Sequence, residues 1–123
     1  MKYTTAAEAV RLIQSHSSVY IQGSTSIPET LVRAMADRAG ELTDVKVYSA
    51  FAVGAFDAPY CKPENRESFL VNSLFVANNI RRWLADGYGQ STPAFLGEIP
   101  GLFRDGTLPV DVALLNVSRP NEE

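Results

Sequence analysis

Short runs rich in β-branched and aromatic residues, separated by helix-start signals, leave this chain few ways to fold. "VYIQG" (residues 19–23), "VKVYSA" (45–50), "SFLVNSLFV" (68–76) and "VDVALLNV" (110–117) have the make-up of strands. Some of these runs are nearly continuous in apolar residues, as expected of strands covered on both sides rather than wetted on one. Between them lie helical patterns. Thr5 and Glu8 form a capping box, and Ala9, Leu12 and Ile13 recur at helical spacing, so a first helix is predicted from Ala6 to Gln14. Ser26 and Glu29 form a second box, with Pro28 in the first turn and Leu31, Met35 and Leu42 as the apolar stripe, giving a second helix that ends near Gly40. A loop rich in Pro, Asp and Asn covers residues 57–66. "NNIRRWLADG" reads as a helix closed by Gly87, "TPAFLG" as a short extended piece, and "EIPGLFRDG" as a turn or short helix. The final run, the most apolar, closes the chain as a buried strand. The expected fold is α/β: one domain over residues 1–123, with a mainly parallel sheet and helices on both faces.

Composition removes several function classes. Eleven basic and 14 acidic residues give a net charge of −3, and Arg81–Arg82 is the sole basic doublet, so a nucleic-acid partner is not expected. One cysteine, Cys61, excludes an internal disulfide, and with only His16 beside it in the composition no zinc site of the Cys/His kind is expected. No apolar run reaches 18 residues and the N-terminus is amphipathic with Glu8 inside it, so the expectation is a cytoplasmic protein without a membrane partner.

The turn "GSTSIPE" (23–29) joins a strand end to a helix start. Its backbone N–H groups and small side chains could hold an anion, or Gly23 simply permits the turn and Ser26 caps the helix. It matches neither the dinucleotide glycine fingerprint nor the phosphate loop, which disfavours a nucleotide-binding domain. Glu98, in an apolar stretch, is either a buried acid–base group or a carboxylate at a helix start. Asn78, Asn79, Arg81 and Arg82 would pair with an anion or form a solvated helix face. Cys61 and His16, both in loops, are a weak nucleophile–base pair.

Taken together, "AAEAVRLIQS", "IQGSTSIPETLVRAMADRAGEL", "FLVNSLFVANNIRRWLADG" and above all "PAFLGEIPGLFRDGTLPVDVALLNVS" resemble the N-terminal domain of the acetyl-CoA hydrolase/transferase family, and within it the 4-hydroxybutyrate and acetate CoA-transferases. The resemblance covers almost the whole chain. It implies a class I CoA-transferase built from two α/β domains, in which CoA passes from an acyl-CoA to a small carboxylic acid such as acetate, butyrate or 4-hydroxybutyrate through a glutamyl thioester. The family's nucleophilic glutamate lies in the C-terminal domain, so no catalytic residue carries over and this chain alone is expected to be inactive. Coenzyme A enters as substrate, with no bound cofactor or metal. The resemblance places Gly23, Ser24, Thr25, Ser26 and Pro28, the strand end with Ser49, Ala52 and Gly54, and Glu98 along the substrate cleft. Two departures stand out: Gly97 replaces a usual serine, and "SRPNEE" replaces "SPPDEHG", with Arg119 for the first proline and Glu123 where histidine is common. A partner is implied as well, either the missing C-terminal domain or a homo-oligomer that hides exposed apolar surface. A non-catalytic binding or assembly module is the alternative.

Overall fold

A computed structural model describes residues 3–50 and 57–121. Five strands, β1 (Ser18–Ile21), β2 (Val45–Ser49), β3 (Phe69–Ser73), β4 (Gly89–Ser91) and β5 (Val112–Leu114), form one sheet in the order β4-β3-β2-β1-β5. Every pairing is parallel, so each connection must cross a face of the sheet. The register lines up Val112, Val19, Val47, Val71 and Gly89 in one row, and Ala113, Tyr20, Tyr48, Asn72 and Gln90 in the next. Because side chains alternate along a strand, these rows belong to opposite faces.

Among the described residues the valine face is closed by α1 (Ala6–Ala9), through the turn after it, which buries Val10, and by α2 (Glu29–Ala36) and α3 (Asn78–Ala85), which bury Val32, Met35, Ile80 and Trp83 against it. At the start of α1, Thr5 accepts a hydrogen bond from the Glu8 N–H at 3.2 Å, as its capping signal predicts. The Glu8 carboxylate meets the Thr4 hydroxyl instead of reaching back to close the box. α1 tightens into a 3-10 turn at Val10–Leu12, where Val10 and Ile13 are buried and Leu12 faces solvent. Arg38, beyond α2, donates to the carbonyls of Val10 and, at 2.9 Å, Ile13. The Val10 carbonyl also accepts the Ile13 N–H at 3.1 Å, so the guanidinium adds a second donor there and supplies one to Ile13, tying the turn after α1 to the end of α2.

The tyrosine face carries one helix, α4 (Ile99–Arg104), on the connection that runs from β4 at one edge of the sheet to β5 at the other. Phe103 stands edge-on over Tyr20 (5.4 Å between ring centroids) and Tyr48 (5.8 Å), and Ile99 and Leu108 are buried beside them. Among the described residues, helices therefore flank both faces, three on one and one on the other. No helix among the described residues is long and apolar enough to cross a membrane.

Two strands differ from the sequence-based expectation. The extended piece assigned to "TPAFLG" is a loop, and the strand is the preceding Gly89–Ser91. The last run, expected to be a buried strand, supplies only Val112–Leu114 and lies at the sheet edge, where Ala113 is exposed. Asp111 fixes that edge: its carboxylate accepts the Ser18 N–H at 2.7 Å, and its own N–H returns to the Ser18 carbonyl at 2.8 Å.

Candidate functional site

Parallel strands send all their following loops out at one end, which is where open α/β sheets present ligand sites. The loop after β1 has an unusual backbone. Ser24 sits in the left-handed region at φ 60°, a conformation that costs a non-glycine residue roughly 1–2 kcal/mol and that gathers at working sites. The capping box expected at Ser26 does not form. The left-handed step at Ser24 and the following turn bury Ile27, the Glu29 N–H bonds the Ile27 carbonyl at 2.9 Å, and α2 begins at Glu29 with no side-chain cap. Core burial of Ile27 outweighs the single hydrogen bond that Ser26 would have made.

This loop forms one wall of an open crevice of about 660 Å³ on the tyrosine face. Gln22, Gly23 and Ser24 come from the β1 end, Leu74 and Phe75 from the β3 end, and Ala94, Phe95, Leu96 and Ile99 from the approach to α4, over a floor at Tyr20. Phe95 and Leu96 are each 81% exposed and Phe75 is 57% exposed, so apolar side chains stand around an opening instead of packing away. Among the described residues the lining carries no charged side chain. The Gln22 side-chain carbonyl accepts the Asn116 N–H at 2.7 Å, which turns the amide nitrogen away from that bond and fixes the side chain between β1 and the segment after β5.

The other residues singled out in the sequence scatter around this end of the sheet. Thr25 and Pro28 line a smaller cleft of about 470 Å³ with Ile27, Thr30, Leu115 and Asn116, at the switch point between β1 and β5. Ser26 is half-buried and lines neither space. Ser49 is buried at the end of β2. Its hydroxyl lies near that of Tyr60, yet neither makes a hydrogen bond of good geometry among the described residues. Burial pushes the Tyr60 hydroxyl well above its ordinary range. Ala52 and Gly54 lie outside the described residues. Glu98 is exposed just before α4, where its carboxylate accepts the Phe95 N–H at 3.1 Å. It borders an outer depression beside Arg104 and Asp105, and holds the shape of the loop that presents Phe95 and Leu96.

The minor candidates resolve simply. Burial pushes the Cys61 thiol up to about 12, which leaves almost no thiolate near neutral pH. His16 is solvent-exposed on a turn before β1, its imidazole 3.7 Å from Asp44. Arg81 and Arg82 are on the wet face of α3, and Arg82 pairs with Asp86 one turn later at 3.7 Å. What the sequence did not single out is the apolar wall: Tyr20, Leu74, Phe75, Phe95 and Leu96. The available signal was Tyr20 and Tyr48 at the outward positions of otherwise aliphatic strands, together with an apolar pair just before Gly97.

Comparison with known proteins agrees with this architecture. The chain is 34% identical over 121 residues to the 4-hydroxybutyrate coenzyme A transferase of Clostridium kluyveri, covering 98% of this chain and 28% of that protein. It is 30% identical over 117 residues to the succinyl-CoA:acetate/propanoyl-CoA:succinate CoA transferase of Fasciola hepatica, covering 94% and 24%. The crystal structure of RipA from Yersinia pestis superposes with a TM-score of 0.77 at 27% identity, over 89% of this chain and 27% of that one. The chain thus spans about a quarter of the length of the curated relatives it matches. The family model for the acetyl-CoA hydrolase/transferase N-terminal domain matches residues 1–123, and the chain belongs to that family.

Proposed function

We propose that this chain forms the substrate-lining part of a CoA-transferase that moves CoA between an acyl-CoA and a small carboxylic acid. The observation that carries this reading is the family match across the entire chain, joined to relatives named as CoA-transferases. In the proposed reaction a glutamate carboxylate of a C-terminal domain attacks the acyl carbon and displaces CoA thiolate, giving a mixed anhydride. The thiolate then attacks the glutamyl carbonyl, releasing the first acid and leaving CoA as an enzyme thioester, and the second acid takes CoA by the reverse two steps and frees the glutamate. Among the described residues the crevice lining is uncharged. The chain's contribution is to hold and orient the acid between apolar walls that include Tyr20, Leu74 and Ile99, with Gly23 and Ser24 at one end.

The test is a hybrid in which residues 1–123 replace the matching stretch of the Clostridium kluyveri transferase. The hybrid is expected to transfer CoA from acetyl-CoA to 4-hydroxybutyrate, while residues 1–123 alone show no turnover. A soluble hybrid with native circular dichroism and no transfer would overturn the reading, as would turnover by the isolated chain.

A further inference from the structure

Resting on the transferase reading, we infer that the crevice on the tyrosine face is an alkyl subsite that admits straight acyl chains of more than four carbons. Three observations carry this. The first is size: about 660 Å³ falls among cavities that enclose drug-sized ligands, ~300–1,000 Å³, and leaves ample room beyond a four-carbon acid. The second is chemistry. Among the described residues the lining has no cation to hold a carboxylate and no carboxylate to repel one, and most of it is aliphatic or aromatic. An acid would therefore gain its affinity from its chain, with neutral donors such as the Gln22 amide and the Ser24 and Tyr20 hydroxyls to orient its head. The third is exposure. Phe75, Phe95 and Leu96 hold apolar surface at the opening, and Glu98 accepts the Phe95 N–H at 3.1 Å, so the loop that presents two of them is bonded in place. Clustered apolar surface, unlike scattered exposed leucines, marks a protein contact or a ligand groove, and here it borders a crevice large enough for an alkyl chain.

The experiment titrates butanoate, hexanoate and octanoate into the isotope-labelled 123-residue chain and follows backbone amide signals by NMR. Burying each methylene should tighten binding about fourfold, so octanoate should bind roughly two hundredfold more tightly than butanoate. The moving amides should be those of Gln22, Ser24, Phe95 and Leu96. Leu96→Asp, at an exposed position that leaves the fold intact, should weaken octanoate at least tenfold. Equal affinity across the series would overturn the inference, because the carboxylate alone would then be read. So would shifts confined to Thr25, Thr30 and Asn116, or no saturable response to octanoate. No coenzyme A is involved, so this failure is distinct from failure of the hybrid in the transfer assay.

Discussion

The two faces of the sheet are built on opposite principles. On the valine face three helices close over aliphatic rows, and Val19, Val47 and Phe69 are fully buried. On the tyrosine face one short helix covers Tyr20 and Tyr48, while the strand ends beyond it open into an apolar crevice. The closed face spends its apolar surface on stability. The other leaves apolar surface at an opening, where it can meet a ligand. The proposed binding face and the closed core thus lie on opposite sides of one sheet, and substitutions on the two sides should behave differently.

The largest expected effect is on the closed face. Phe69→Ala should cost about 4 kcal/mol, seen as a lower urea midpoint at unchanged slope, because the cavity it leaves is walled by a fully packed core. Loss of under 1 kcal/mol would break the comparison. Next comes Gly89→Ala. A Cβ there would lie 2.8 Å from Leu84 Cδ2 and 2.9 Å from the Val71 carbonyl oxygen, and the backbone carbonyl cannot step aside, so a loss of about 2 kcal/mol is expected. On the crevice side the sign reverses. Ser24→Gly should raise stability by about 1 kcal/mol in thermal unfolding by relieving the left-handed φ of 60°, at the expense of a hydroxyl at the crevice. The smallest effect belongs to Phe95→Ala. At 81% exposure its removal should shift the urea midpoint by less than about 0.5 kcal/mol equivalent, although the side chain is as large as that of Phe69.

The same division explains what could be read from the sequence. β1, β2 and β3 were legible because burial on the valine face forces a run such as Val45-Lys46-Val47 to show its aliphatic residues. β4 was not, since Gly-Gln-Ser has no apolar signal; it is a strand because Gly89 lets the backbone approach Leu84 and Val71 closely. Ser26 misled because its capping signal is local, whereas the start of α2 is decided by Ile27 docking into the core. Of the site, the sequence offered Gly23 and Ser24 through their strand-to-helix loop. It could not offer Leu74, Phe75, Phe95 and Leu96, because they join that loop only when the β4 to β5 connection crosses the sheet. That juxtaposition is a property of topology, not of any short motif.

In the proposed arrangement the tyrosine face, not the valine face or the switch-point cleft, receives the substrate. The most direct test is photolabelling of the chain with an octanoate analogue carrying a diazirine near the end of its alkyl chain, with adducts mapped by mass spectrometry. The account predicts labels on residues 20–24 and 94–99, suppressed by excess octanoate. Labels confined to residues 25–31 and 115–116, or spread over α1, α2 and α3, would contradict it.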